Sequence, residues 1–298
     1  MNNTNIKIVF MGTPQFAVPC LLKLKEADYN LIGVITQPDK PTGRQQKLTP
    51  PPVKIEAQKL NLPIYQFNKL DQEAIKKIKE LNPDLIIVVA YGKILPAEIL
   101  ALPPHGCLNI HPSLLPHYRG PSPIQTAIFK GEKQTGITII KLDQKLDHGP
   151  IIAQETFDIL NDDNAESLSN NLACEGAELL IKILPDYLEN KIKSQPQDDS
   201  QATFTKIITQ EDAKINWRET PPEIDCQIRA FYPSPGAWTN ITGPPAEALS
   251  SRRAQVGKKV KILKAHLEEG ELVIDQVQPE SKKAMSYNDY LQGNEPLV

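Results

Sequence analysis

The first half of the chain alternates short apolar runs with amphipathic stretches. Lys7 to Met11 (KIVFM), Leu31 to Thr36 (LIGVIT) and Leu85 to Val89 (LIIVV) carry almost no polar alternation, which predicts strands buried on both faces. Helical spacing runs from about Phe16 to Lys25 and from Asp71 to Leu81. Cys107 to His111, Thr135 to Lys141 and Pro150 to Phe157 predict further strands, with Leu142 to Gly149 as the loop between the last two. A long helix is predicted from Ala165 to about Glu189. Its Leu168, Leu172, Leu179 and Ile183 share a face, and the capping residues Asn161-Asp162-Asp163 precede it. Strands alternating with helices define an α/β class with a doubly wound, mostly parallel sheet.

The pattern changes near residue 194. Ser194 to Gln201 (SQPQDDSQ) has no bulky apolar residue and reads as a linker. Short β-like runs follow at Phe204 to Ile208, Trp238 to Ile241, Lys259 to Leu263 and Glu271 to Val277. The expected organisation is a first domain over 1–193, a linker over 194–203, and a smaller, largely β domain over 204–298.

Composition narrows the class. Of 298 residues, 40% are hydrophobic and 23% charged, the balance of a soluble globular protein. No apolar run is of membrane-spanning length and the N-terminus lacks signal-peptide features. The expectation is a cytoplasmic protein with no membrane partner. Cys20, Cys107, Cys174 and Cys226 lie far apart with no CxxC pair, which favours reduced thiols over zinc or disulfides. The net charge of -3 gives no global signal for a polyanion, so any such partner must meet a local basic patch. Gly12-Thr13-Pro14 is not a dinucleotide-binding G-x-G-x-x-G, and no P-loop is present. It reads as a tight strand-to-helix turn, which disfavours nicotinamide or ATP chemistry.

The chemistry concentrates in Cys107-Leu108-Asn109-Ile110-His111-Pro112 and in Leu146-Asp147-His148-Gly149. On a strand, Asn109 and His111 face the same way, and Pro112 stops the ladder with both at its mouth. Asp147, brought back by folding, would complete a set of acid, base and hydrogen-bond donor. That set suits an amine attacking a formyl group on another nitrogen. The amide would stabilise the oxyanion and the imidazole would protonate the departing nitrogen, with no serine or cysteine nucleophile. The residues alone leave structural roles open, including a simple turn at His148-Gly149. No two-histidine helical spacing supports a metal, and none is expected.

Asn109-Ile110-His111-Pro112-Ser113-Leu114-Leu115-Pro116, with Tyr118-Arg119-Gly120, Pro123-Ile124, Gly136-Ile137-Thr138 and Asp147-His148-Gly149-Pro150-Ile151-Ile152, resembles the folate-dependent formyltransferases. The resemblance implies that Asn109, His111 and Asp147 are catalytic. It also implies that Ser113, Leu114, Leu115 and Pro116 lie against 10-formyltetrahydrofolate, a co-substrate, mainly through backbone and apolar contacts. The Val88 to Gly92 segment, with Val89 and Tyr91, would join the pterin pocket. The implied fold is a Rossmann-like formyltransferase domain followed by an OB-like β-barrel.

Three stretches resemble the branch that formylates methionine on initiator Met-tRNA. They are Phe10 to Ala17, the loop Gln37 to Pro50, and Ile228 to Thr239. The loop is rich in Pro and Gly, with Lys40, Arg44 and Lys47 and a single acid, Asp39. Such a segment can order on meeting phosphates, and the resemblance puts it at the acceptor stem. Lys259 and Lys261 would share a face of a second-domain strand that tracks the tRNA backbone. One departure is an insertion from Gly243 to Gly257 that includes Arg252 and Arg253. A monomer is expected. The alternative reading is transfer to a small amine, an amino sugar or ribonucleotide; a non-catalytic RNA- or folate-binding protein is a third.

Overall fold

The computed structural model describes residues 5–43, 45–241 and 257–297. The insertion from 243 to 256 lies outside them. In chain order the elements are β1 (Lys7–Gly12), α1 (Val18–Glu26), β2 (Asn30–Thr36), β3 (Lys40–Thr42), β4 (Lys47–Thr49), α2 (Pro52–Lys59) and β5 (Ile64–Gln66). Then come α3 (Gln72–Leu81), β6 (Leu85–Val89), α4 (Ala97–Leu100), β7 (Cys107–His111), α5 (Pro123–Phe129), β8 (Gln134–Lys141), β9 (Ile151–Asp158) and α6 (Ala165–Leu188). The last third holds α7 (Pro221–Phe231), β10 (Trp238–Asn240), β11 (Lys259–Glu268), β12 (Glu271–Pro279), β13 (Met285–Ser286) and α8 (Tyr287–Leu291).

The chain forms two compact units. The first contains residues 1–120, 135–157 and 169–204. Its sheet has the order β5-β2-β1-β6-β7-β8-β9. Neighbours from β5 to β7 pair in parallel, and β8 runs antiparallel to β7. The apolar runs that predict strands are β1, β2 and β6, and β6 is buried at every position, as a sheet covered on both faces requires. Strand order reverses between β1 and β6, which places a crevice beyond their carboxyl ends. Both ends are stitched there: Thr13 Oγ1 and Gln37 Nε2 donate to the Tyr91 carbonyl at 3.0 and 3.1 Å. β7, the strand carrying Asn109 and His111, lies next to β6 and ends on the same side.

The second unit takes residues 121–134 and 158–168 from mid-chain together with 205 onward. Its antiparallel sheet, β10-β11-β12-β13, packs with α7 around Ile224, Ile228, Val260, Ile262, Val277 and Tyr290. α7 starts with a capping box, in which Thr220 and Glu223 satisfy each other's groups. It also packs on α5, with Phe129 and Phe231 stacked at 5.5 Å. Phe204 to Ile208 is not a strand. Phe204 makes one bridge to Arg119, and Phe204 and Ile207 are 67% and 74% exposed, so apolar spacing there lacks a partner strand.

Among the described residues no helix is long and apolar enough to cross a membrane. All four cysteines are free. Cys20 and Cys107 are buried, and burial pushes the Cys107 thiol up to about 12 and the Cys20 thiol higher still. Because the thiolate is the reactive species, native protein treated with a thiol reagent at neutral pH is expected to lose the exposed Cys174 first. Cys20 and Cys107 should react only after unfolding. Mass mapping of the labelled peptides checks this, and early labelling of Cys107 would contradict the packing around β7.

Candidate active site

β7 supplies the first two groups of the site. Ile110 turns toward α6, where a Cβ on Gly176 would lie 2.9 Å from its side chain. Asn109 and His111 therefore point to the opposite face. His111 is buried, and its Nε2 lies 3.0 Å from the Tyr118 carbonyl. A carbonyl can only accept, so Nε2 carries a proton and Nδ1 is the atom free to exchange one. Nδ1 faces Asp147 Oδ2 at 3.7 Å, longer than a direct hydrogen bond. Asn109 is half-buried, and its carboxamide has no hydrogen-bond partner among the described residues. Half-buried, the amide can exchange water for a ligand.

The β8–β9 connection supplies the third group. Asp147 has φ +47°, a left-handed conformation that non-glycine residues adopt only when held. Its carboxylate accepts the Gly120 N–H at 2.8 Å, which fixes it beside His111. Gly149 follows because nothing larger fits: an added Cβ would sit 1.8 Å from the Lys141 carbonyl oxygen. Sequence spacing puts Asp147 in a loop; the structure brings it to β7.

Thr138 and Gln154 support the Ser113 to Pro116 segment from beneath. The Thr138 hydroxyl donates to the Ser113 carbonyl at 2.6 Å and accepts from Leu115 N and Gln154 Nε2. Gln154 also donates to the Leu115 carbonyl. The Ser113 side chain is fully buried and donates to the His117 carbonyl at 2.6 Å. Leu115 is buried too, whereas Leu114 and Pro116 are partly exposed. Gly136 lets Leu114 lie close, since a Cβ there would approach it to 2.3 Å. Neither Thr138 nor Gln154 is legible as a support from spacing alone; the Gly136-Ile137-Thr138 triplet is the nearest signal.

Val89 and Tyr91 direct their side chains inward. Both are buried, and burial pushes the Tyr91 phenol up to about 12. The exposed positions at this strand end are Ala90 and Gly92, both with positive φ. What it offers a ligand is therefore mainly backbone.

Residues 195–204, mostly polar in sequence, are hydrogen-bonded along the site. Gln195 pairs with Ile151, and Thr203 pairs with Arg119 and Tyr118. Arg119 is buried and donates to Gln197 and to Asp199 at 2.7 Å. The Arg119 hydrogen bond holds the Asp199 carboxyl below the usual carboxylate range. His148 lies between Asp143 at 2.6 Å and Asp199 at 3.2 Å. Arg119, His148 and Asp199, with Lys145, Leu146, Ala202 and Phe204, line a cleft of about 340 Å³.

The basic residues sort into two settings. Lys40 and Lys47 are exposed on the β3–β4 hairpin, which pairs Thr42 with Lys47; Arg44 lies outside the described residues. The hairpin base is anchored by Asp39, which accepts from Lys54 at 2.7 Å and Gln66 at 2.9 Å. Those bonds, the Lys54 one foremost, hold its carboxyl below the usual range. On β11, Lys259 and Lys261 do share a face. The Lys259 ammonium lies 4.0 Å over the Trp238 ring, and Lys261 donates to the Pro235 carbonyl at 2.6 Å. Among the described residues no cluster of three His, Cys, Asp or Glu is placed to hold a metal.

An uncommitted amide, an imidazole with one free nitrogen and a pinned carboxylate, at the mouth of a doubly wound sheet, form an arrangement with the chemistry to serve transfer of a one-carbon acyl group. Residues 6–184 match the formyl transferase family and 207–295 its C-terminal domain; the chain belongs to the formyl transferase family. The methionyl-tRNA formyltransferase of Halalkalibacterium halodurans is 45% identical to it, over 97% of this chain and 95% of that protein. The fold is also that of HypX from Aquifex aeolicus, solved with tetrahydrofolic acid, with a TM-score of 0.67, 18% identity and coverage of 95% of this chain. This chain spans 46% of HypX. An N-formyltransferase from Helicobacter canadensis, solved with folinic acid and dTDP-3-aminofucose, gives a TM-score of 0.64 at 22% identity, covering 88% of each chain.

The interior placement of the Ser113 hydroxyl has a measurable consequence. Ser113→Ala removes one hydrogen bond and is expected to lower the unfolding free energy by about 0.5–1.5 kcal/mol, read from urea denaturation. Affinity for a folate donor should change little, and a large loss of donor affinity with unchanged stability would place the hydroxyl on the ligand instead.

Proposed function

We propose that the protein transfers the formyl group of 10-formyltetrahydrofolate to the α-amine of methionine on initiator Met-tRNA. The observation that carries this reading is the half-buried Asn109 amide, without a partner among the described residues, on the same face as His111, whose Nδ1 faces the Asp147 carboxylate. Near-full-length similarity to methionyl-tRNA formyltransferases supports the acceptor. The fold alone is shared with sugar N-formyltransferases.

The proposed roles follow from which atoms are free. The methionine amine reacts uncharged, which its pKa of about 7.7–8.0 or lower allows near neutral pH. As it attacks the formyl carbon, negative charge builds on the formyl oxygen. Asn109 donates to that oxyanion from a neutral amide. His111 works through Nδ1, since its Nε2 proton is held by the Tyr118 carbonyl. That nitrogen shuttles the proton the amine loses to the departing folate nitrogen, and the Asp147 carboxylate favours the transient imidazolium. The new bond is formyl carbon to amine nitrogen, and the broken one is formyl carbon to folate nitrogen. Leu114 and Pro116, with the backbone of Ala90 and Gly92, form the donor side. Lys40 and Lys47 on the hairpin, together with Arg44, meet the acceptor stem, and Lys259 and Lys261 contribute in the second domain, which we take from about residue 204. We read the protein as a cytoplasmic monomer.

A purified-enzyme assay with 10-formyltetrahydrofolate should formylate initiator Met-tRNA far faster than elongator Met-tRNA, and no dTDP-amino sugar. Formylation of a small amine without Met-tRNA would overturn the acceptor. Asn109→Ala and His111→Ala are each expected to lower kcat by about 10²–10³-fold, with tRNA affinity nearly intact; full turnover in either removes that residue from the mechanism.

The hairpin lysines make a separate expectation. Lys47→Ala should weaken tRNA binding and reduce the slope of log affinity against log salt by about 1. Filter binding between low and moderate salt measures it. An unchanged slope would leave Lys47 a solvated surface charge.

A further inference from the structure

Asp147 is held twice, and the two attachments differ in kind. The Gly120 N–H holds its carboxylate. Its backbone is held by a side chain some fifty residues away: Gln197 Nε2 donates to the Asp147 and Gly149 carbonyls, each at 2.8 Å. The other end of the same amide, Oε1, accepts from Arg119 Nε and Nη2 at 3.0 and 2.8 Å. A carboxamide has two N–H donors and two oxygen lone pairs, so these four bonds saturate it. They also fix its orientation, because carbonyls only accept and a guanidinium only donates. Arg119 is 4% exposed and directly precedes Gly120. Two successive residues thus grip the turn, Gly120 directly and Arg119 through Gln197. The turn between them contains the left-handed Asp147 and ends at Gly149, where the backbone crosses against Lys141.

We propose that Gln197 is a positioning residue for formyl transfer. By clamping the carbonyls of Asp147 and Gly149, it keeps the Asp147 carboxylate facing His111 Nδ1. This rests on the reading of Asp147 as catalytic, and it goes beyond that reading by assigning a role to the polar segment that follows α6. Gln197 does not touch the reacting atoms. Its effect passes through Asp147.

The test is a double-mutant cycle on the full-length enzyme, with kcat and both KM values measured. Gln197→Glu keeps the acceptor for Arg119 but loses both donors. Gln197→Met keeps the length and loses every polar contact. Each is expected to lower kcat about tenfold, since small misplacements of a catalytic group are costly, with both KM values within about twofold. In an Asp147→Asn background the same changes should cost less than about twofold, because the group they position is already disabled.

Equal losses in both backgrounds, losses carried by KM, or unchanged kcat in both variants would overturn the proposal. So would loss of cooperative unfolding in both, which would assign Gln197 to folding. Full kcat in Asp147→Asn alone would sink the catalytic reading together with this inference. A slow Asp147→Asn beside fast Gln197 variants sinks only this inference.

Discussion

The site depends on one hydrogen bond, from the Gly120 amide to the Asp147 carboxylate at 2.8 Å. β7 by itself delivers an amide and an imidazole, which any strand of alternating polarity could do. The carboxylate arrives from a different connection, on a residue whose backbone is left-handed and two positions before Gly149, where no side chain fits. An unpinned carboxylate near a buried imidazole would be drawn toward water. A backbone N–H offers a fixed, charge-assisted partner in its place. The oxygen it holds, Oδ2, is the one that faces His111 Nδ1 at 3.7 Å.

Much of this was legible from residue spacing, and the limits have physical causes. β1, β2 and β6 were readable because strands buried on both faces are apolar throughout, and β7 was readable from its alternating Asn109 and His111 and from Pro112, where it stops. α6 was readable from its apolar stripe. α7 was harder: its segment PPEIDCQIRAF is short and lies among β-like runs, although Thr220, the leading prolines and Glu223 carry a helix-start signal. The pairing of β3 with β4 was not readable, because its residues are exposed and carry no core-facing alternation. At the site, Asn109, His111 and Asp147 stand out by chemistry. Thr138, Gln154 and Gln197 do not, because a supporting hydrogen bond needs only a common polar side chain at a distance that only folding sets.

The polar stretch after α6 illustrates the same limit from the other side. Gln, Asp, Ser and Thr without apolar neighbours signal solvent exposure, and most of residues 195–204 are exposed. Yet Gln195, Gln197, Asp199 and Thr203 each bond inward, to Ile151, Arg119 or Tyr118. A segment can be solvated on one side and still be an ordered part of a site. Hydropathy averages these two sides, whereas hydrogen bonds distinguish them.

The interleaving of the two compact units bears on how such a protein can be taken apart. The two family matches end at residue 184 and begin at residue 207, and a gene cut between them looks like a clean exchange of modules. The contacts disagree, because α5, drawn from mid-chain, packs on α7 and stacks Phe129 against Phe231. A transplanted C-terminal segment would leave that helix without its cover, and the remaining half would expose an apolar face made for a partner no longer attached. An exchange made at that boundary must therefore keep an α5 surface that fits α7, so the C-terminal segment is tied to the middle of the chain through a seven-residue helix.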